Sequence, residues 1–351
     1  MKIIHTADLH LGMYPDKGHP WSTERHDALW DALRRIIRRA EDEQAELLLI
    51  AGDLFHRQPL LRELREAAAL FSSLSRTRVV LIAGNHDYLS ARSRYRDFVW
   101  GDNTFLLADP TLSSVCFPDL NVEIHGFSYD RPEIREPLCD RLKAPADGRI
   151  HILLAHGGDA KHIPIDKARL AAAGFHYAAL GHIHKPELLE ELRLSWCGSP
   201  EPIDRTDIGP RGYIVADITS RQTRLRFIED CTARYIPLRA AVTPDTTREG
   251  LAASLRQTAA RYGEADIFSV TLTGERAFDM DFSAPVPLPC RLVHWADQTR
   301  PALDYDRIRH AHADDLLGLF MEEMRRLPES ELTKRALAYG VRACLQEGGC
   351  L

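Results

Sequence analysis

Five short apolar runs in this chain each stop at a small residue and then at a side chain of the kind that binds metal. Ile3-Ile4-His5-Thr6-Ala7 leads into Asp8-Leu9-His10, and Leu47 to Ile50 leads into Ala51-Gly52-Asp53. Val79 to Ile82 precedes Ala83-Gly84-Asn85-His86-Asp87, Ile150 to Leu154 precedes Ala155-His156-Gly157-Gly158, and Tyr177 to Leu180 precedes Gly181-His182-Ile183-His184. Runs of this length, rich in Val, Ile and Leu and bounded by Gly, predict buried parallel strands. Side chains just past the carboxyl ends of such strands converge on one crevice of an open α/β sheet. Seven oxygen and nitrogen donors are therefore expected at one sheet edge.

Between the first ligand runs, Ser22 to Glu43 carries a helical stripe of Leu29, Leu33, Ile36, Ile37 and Ala40, with Ser22 or Thr23 as its expected cap. Leu60 to Leu74 predicts a second helix, so the amino-terminal order is strand, helix, strand, helix, strand, the order of a parallel sheet with right-handed crossovers. Strands then crowd together at Thr104 to Ala108, Val122 to Phe127, Arg193 to Cys197, Gly212 to Ile218 and Thr223 to Ile228, and their hairpins predict a second sheet packed on the first. Near residue 232 the pattern resets to a strand at Arg234 to Ala240, a helix at Thr246 to Tyr262 and a strand at Ile267 to Thr273. Pro285, Pro287 and Pro289 mark an extended passage, and two amphipathic helices follow, Ala313 to Leu327 and Glu329 to Gln346. The expected division is 1–232, 233–300 and 301–351.

A net charge of -6 argues against coating nucleic acid by bulk charge, although two bound cations would reverse the sign locally. The seven cysteines are scattered and never spaced as CxxC, which suits reduced thiols in a cytoplasmic protein better than a disulfide frame or a thiolate zinc site. Met1-Lys2-Ile3-Ile4 runs straight into a strand and no apolar stretch approaches ~18 residues, so neither a leader nor a membrane span is expected.

Each ligand fragment alone is weak. His-x-His occurs again at His310 and His312, where no apolar strand precedes it, and that pair is expected to be ordinary surface. Order and position give the full set its weight. Carboxylate, amide oxygen and imidazole without thiolate suit Mn, Fe or Zn rather than Ca or a structural zinc. Seven donors exceed what one such ion needs, whereas two ions sharing a bridging carboxylate use them all.

The motifs Asp-x-His, Gly-Asp, Gly-Asn-His-Asp, His and Gly-His-x-His, in that order, resemble those of the calcineurin-like metallophosphoesterases. The resemblance implies an α/β fold, a four-layer α/β/β/α sandwich, here with a small αβ cap domain and C-terminal helices. It also implies that Asp8, His10, Asp53 and His184 hold one ion and Asp53, Asn85, His156 and His182 the other, Asp53 bridging. Two ions about 3.5 to 4 Å apart can share a water and lower its pKa towards ~7, the logic of two-metal hydrolysis. His86 adjoins Asn85 without being needed as a ligand, so it is the candidate to contact the phosphate and protonate the leaving oxygen, with Asp87 orienting and charging it. The alternative for His86 is an outer hydrogen bond only.

A closer resemblance is to the SbcD-type DNA exonucleases. It rests on Ile4 to Gly12, Gly52-Asp53-Leu54-Phe55-His56, Gly84 to Asp87, Ala155 to Gly158, and Trp196-Cys197-Gly198-Ser199-Pro200 continuing to Gly209-Pro210-Arg211-Gly212-Tyr213. This implies manganese-dependent 3′ to 5′ exonuclease action on DNA with some single-strand endonuclease action. It further implies an ABC-type coiled-coil ATPase partner, homodimerisation through amino-terminal helices, and an accessory catalytic role for His56, whose alternative is capping the next helix. Arg92, Arg94 and Arg96 are the basic stretch nearest the catalytic loop. Leu316, Leu317, Phe320, Met321 and Met324 form a stripe that suits local core or a partner surface. The rival readings are a phosphoesterase acting on nucleotides, cyclic nucleotides or phosphoproteins, and a non-catalytic metal-stabilised scaffold. Gly-Asp-x-x-His-Arg and Gly-Asn-His-Asp disfavour a protein phosphatase, which favours Gly-Asp-x-x-Asp-Arg-Gly and Gly-Asn-His-Glu.

Overall fold

The computed structural model describes residues 1–277 and 279–347, which fall into two compact units. The larger comprises residues 1–237, 262–269 and 290–293; the smaller comprises 238–261, 270–289 and the chain from His294 on.

The larger unit contains the strands β1 (Lys2–Thr6), β2 (Leu47–Ala51), β3 (Arg78–Ile82), β4 (Thr104–Leu106), β5 (Ser113–Phe117) and β6 (Val122–Gly126). They are followed by β7 (Ile150–His156), β8 (Tyr177–Gly181), β9 (Glu187–Leu189), β10 (Leu194–Trp196), β11 (Gly212–Ile218) and β12 (Thr223–Glu229). These form two six-stranded sheets, ordered β12-β11-β1-β2-β3-β4 and β5-β6-β7-β8-β10-β9. The five apolar runs are all strands, as expected, but they are shared between the sheets. β1, β2 and β3 pair in parallel in the first, and β7 and β8 in the second. Two segments expected in the second sheet belong to the first: β4 pairs with β3, and the β11–β12 hairpin joins antiparallel to β1. Ile214, Ala216 and Ile218 explain the latter, since alternate positions of β11 join Ile3 in the core between the sheets.

Burial accounts for the layering. Ile3, Leu47, Leu49, Val80 and Ile82 of the first sheet share one buried cluster with Val122, Ile124, Ile152 and Leu154 of the second. The opposite face of the first sheet, Ile4, Leu48, Ile50, Val79 and Leu81, is covered by α1 (Ser22–Asp42) and α2 (Leu61–Ser72) through Leu29, Leu33, Ile36, Leu64 and Phe71. The opposite face of the second sheet packs on α3 (Lys167–Ala172), a single short helix capped by Asp166, and on loops bearing Phe127, Tyr129 and Ile134. The expected α/β/β/α order holds, with a thin outer layer over the second sheet. The expected cap of α1 does not. Its N-cap is Trp21, with no side-chain cap, and the Ser22 hydroxyl donates instead to the Pro15 carbonyl at 2.7 Å.

α1 is tied to the chain after β10 by a buried ion pair. Arg25 and Glu201 are 1% and 0% exposed at 3.1 Å, and Glu201 also accepts from Arg35 at 2.9 Å and Thr232 N–H at 2.6 Å. Removing one partner strands the other charge in the interior, so Glu201→Ala should cost about 3–5 kcal/mol. Urea denaturation of the two proteins measures it, and a loss below about 1 kcal/mol would show that the pair is dispensable.

The smaller unit holds most of a four-stranded sheet made by β13 (Tyr235–Val242), β14 (Ile267–Arg276), β15 (Arg291–Asp297) and β16 (Arg300–Pro301), in the order β13-β14-β15 with β16 on β14. Its helices are α4 (Arg248–Ala259), α5 (Tyr305–Ala311), α6 (Leu316–Arg326) and α7 (Glu331–Glu347). Leu317 and Met321 of the tail stripe are buried with Val341 of α7, so these two serve local core, whereas Leu316 is exposed. His310 and His312 lie at the end of α5, and His312 bonds Asp315 at 2.6 Å. The six described cysteines are free, and Cys350 lies outside the described residues. Among the described residues no helix is long and apolar enough to cross a membrane.

Candidate metal centre

The carboxyl ends of β1, β2 and β3 meet those of β7 and β8, and glycines make the approach possible. A Cβ on Gly181 would overlap the Ala51 carbonyl, one on Gly52 would overlap His156 Nδ1, and one on Gly84 would overlap an Asp53 oxygen. Larger residues would wedge the sheets apart where the donors gather. The backbone is also strained there. Asp8, His10, Asp53 and His182 all adopt positive φ, at 53°, 48°, 50° and 88°, conformations costly for residues with a Cβ and characteristic of functional sites.

All seven expected donors come together, from two sheet edges rather than one. Asp53 is buried at the centre. Its Oδ2 lies 3.8 Å from His10 Nε2 and 3.5 Å from His156 Nε2, while its Oδ1 accepts the His86 backbone N–H at 2.9 Å. To one side, His10 Nε2 is 3.1 Å from His184 Nε2, which is 4.0 Å from Asp8. To the other, Asn85 Oδ1 is 2.9 Å from His156 Nε2 and 3.2 Å from His182 Nδ1.

Hydrogen bonding around this group shows what it suits. His156 Nδ1 faces the Ala51 carbonyl at 2.9 Å, His184 Nδ1 faces Asp207 at 3.2 Å, and His182 Nε2 faces Asp159 at 2.8 Å. Carbonyl and carboxylate oxygens only accept, so these outer nitrogens carry the protons and the inner ones present lone pairs. Lone pairs of three imidazoles thus converge on carboxylate and amide oxygens, an arrangement that only a cation or added protons can satisfy. The donor set therefore fits divalent metal, with Asp53 lying between His10 and His156.

Charge distribution agrees. Burial pushes the Asp8 carboxyl up to about 6. Burial opposes ionisation of Asp53 as well, but the charge and hydrogen bond of His156 hold it well below the usual carboxylate range. His156, whose charge burial disfavours, is raised to about 9 by Asp53, so in the absence of metal it carries the compensating proton. A cation would displace that proton, which ties metal affinity to pH.

His86 is exposed at the mouth of the site, stacked on His56 with ring centres 5.0 Å apart and edge-on to His10 at 4.8 Å. His56 Nδ1 lies 3.3 Å from His10 Nδ1. It does not cap α2, where the Glu63 carboxylate instead accepts the Leu60 N–H at 2.8 Å. Asp87 departs from expectation. It is fully buried, and its two oxygens accept from Gly84 N–H at 2.7 Å and Phe55 N–H at 3.1 Å. His86 Nδ1 lies 3.1 Å from the His56 carbonyl instead, so Asp87 braces the loop while a carbonyl orients the imidazole.

Asp159 and Asp207 carry no signal in the sequence, because neither sits in a motif and each meets its histidine only through long-range folding. Asp207 also accepts Ile203 N–H at 2.9 Å, and Arg211 bonds the His184 carbonyl, so the stretch from Trp196 to Tyr213 acts as a brace for His184. Carboxylates behind ligating histidines fix ring orientation and raise basicity. Asp207→Ala is expected to weaken divalent-cation affinity about 10- to 100-fold. Equilibrium dialysis against Mn(II) on protein shown folded by circular dichroism tests this, and unchanged affinity would refute the brace.

A further ligand-type trio lies apart, on β6 and β7. Glu123, His125 and His151 have their donors within 4.8 Å of one another. Here His151 Nε2 bonds Asp147 at 2.9 Å, His151 Nδ1 bonds His125 Nε2 at 2.9 Å, and Arg149 pairs with Glu123 at 2.9 Å. The histidines of the trio are thus engaged by protein partners, and Glu123 is paired with Arg149 although its Oε2 makes no hydrogen bond among the described residues.

A family profile described as calcineurin-like phosphoesterase matches residues 1–186. The uncharacterized metallophosphoesterase YhaO of Bacillus subtilis is 27% identical over 248 residues, covering 65% of this chain and 60% of its own. The DNA double-strand break repair protein Mre11 of Halobacterium salinarum is 29% identical over 238 residues, 63% of this chain and 57% of its own. The SbcD component of the nuclease SbcCD of Bacillus subtilis is 27% identical over 246 residues, 57% of this chain and 61% of its own. The chain thus spans about three fifths of the length of these relatives.

Proposed function

The chain belongs to the calcineurin-like phosphoesterase family, and on that premise we propose that it is a two-metal DNA exonuclease of the SbcD kind. In this reading it works 3′ to 5′ with manganese as the preferred ion, cuts single strands internally to some extent, and acts as a homodimer with an ABC-type ATPase in the cytoplasm. The division into 1–232 for hydrolysis, 233–300 for a cap that seats DNA, and 301–351 as a helical tail is part of the same proposal.

The observation that carries it is the convergence of metal-binding lone pairs around Asp53 beside an exposed histidine that is not needed as a ligand. Two bound cations would draw in the phosphate and acidify the attacking water. Asp8, His10, Asp53 and His184 would hold one, and Asp53, Asn85, His156 and His182 the other. The chain's own residues do the rest. The His56 carbonyl fixes His86 Nδ1–H and leaves Nε2 to face the substrate. Protonated there, His86 donates to a phosphate oxygen and then passes the proton to the leaving oxygen as the P–O bond breaks. Burial and the neighbouring His86 charge lower the His56 pKa, which favours a neutral His56 beside it. Arg92, Arg94 and Arg96 are exposed on the loop after His86, with Ser93 and Tyr95 buried between them, and would neutralise DNA phosphates.

End-labelled single-strand, hairpin and blunt duplex DNA, incubated with manganese, magnesium or chelator, tests the proposal against nucleotides, cyclic nucleotides and a phosphoprotein. Stepwise shortening from the 3′ end with manganese alone supports it. Intact DNA beside hydrolysed nucleotides would overturn it.

A further inference from the structure

We propose that the loop joining β1 to α1 forms a nucleobase subsite beside the metal centre, with Tyr14 as its stacking platform and Lys17 as a phosphate contact. This rests on the nuclease reading and adds where the terminal nucleotide is held.

A cavity of about 370 Å³ is lined by Gly12, Met13, Tyr14, Lys17, Ser22 and His56. That volume is at the small end for ligand pockets, room for one nucleoside-sized group but not for a duplex. His56 joins it to the chemistry, since the same imidazole approaches His10 and stacks on His86. The Tyr14 ring lies 4.1 Å from the His26 ring at an interplanar angle of 6°, yet Tyr14 remains 50% exposed. One face is thus backed by imidazole and the other is available to a flat ring. Lys17 is exposed and forms no ion pair among the described residues.

The platform is held rigidly. His26 Nδ1 lies 2.7 Å from the Met13 carbonyl, Ser22 bonds the Pro15 carbonyl, and Asp16 accepts from Trp21 Nε1 at 2.9 Å and the Tyr235 hydroxyl at 2.8 Å. Leu11 N–H donates to Leu54 and His56 N–H donates to Leu11, so the loop is fixed to the segment that carries His56. An exposed aromatic ring held this firmly, beside a lysine and within reach of a phosphodiester centre, is what stacking recognition of single-stranded nucleic acid requires. Every base has a π face, so such a subsite senses the presence of a base and not its identity.

The test uses the full chain and a single-strand oligonucleotide whose 3′-terminal base is 2-aminopurine. Binding in chelator, where cleavage is absent, should quench the fluorescence with wild type and with Tyr14→Phe but not with Tyr14→Ala. With manganese, Tyr14→Ala should raise KM about 10- to 100-fold. A 3′-terminal abasic oligonucleotide should show the same penalty with wild type and no further penalty with the variant. Equal quenching by wild type and Tyr14→Ala, or an unchanged KM, would overturn the subsite. Quenching that depends on Tyr14 without any DNA cleavage would support the subsite and count against the nuclease reading alone.

Discussion

Asp53→Asn is expected to release the metal pair and to lower kcat/KM by about 10³-fold or more, a barrier increase of about 4 kcal/mol. The geometry leaves the amide no good orientation. With its nitrogen in place of Oδ1, two donors meet at the His86 N–H now bonded at 2.9 Å. Placed at Oδ2, the nitrogen points its hydrogens into the space where His10 and His156 converge at 3.8 and 3.5 Å. Either way the central negative charge is lost, from a carboxylate that lies within reach of histidines on both sides. Metal content after dialysis against Mn(II) and chelator, measured by mass spectrometry beside the end-labelled DNA assay, reads both effects. Retention of two ions per chain would remove Asp53 from its bridging role.

His86→Ala should separate catalysis from metal binding. The side chain stands at the mouth of the site, whereas the contact to Asp53 comes from the residue's backbone N–H, which alanine keeps. Metal content should therefore be unchanged while kcat falls about 10²- to 10⁴-fold, the range for a missing general acid. The deficit should shrink on bis(p-nitrophenyl) phosphate, whose leaving group departs without a proton. A deficit of equal size on both substrates would assign His86 to binding the phosphate rather than protonating the leaving oxygen, and loss of metal would make it a structural residue.

The donors of the site are legible in the sequence because each follows directly on a buried strand, so local pattern and final position coincide. Asp8, His10, Asp53, Asn85, His156, His182 and His184 all sit where the apolar runs end. Partition into sheets is less legible, since the alternation in β11 marks an inward face without naming the neighbouring strand. It joins β1 because Ile214 and Ile3 share a core. Asp87 misleads because adjacency in sequence suggests a pair with His86, whereas the turn directs its carboxylate into the interior to meet two backbone N–H groups. Asp159 and Asp207 lie beyond local pattern altogether. Their role depends on where His182 and His184 point after the sheets close, and no spacing encodes that.

Crystals grown with Mn(II) and measured at the manganese absorption edge test the central claim most directly. Two anomalous peaks about 3.5 to 4 Å apart on either side of the Asp53 carboxylate are predicted, one within bonding distance of Asp8, His10 and His184 and the other of Asn85, His156 and His182. A single peak, or peaks elsewhere with these seven side chains bonded only to one another, would contradict it.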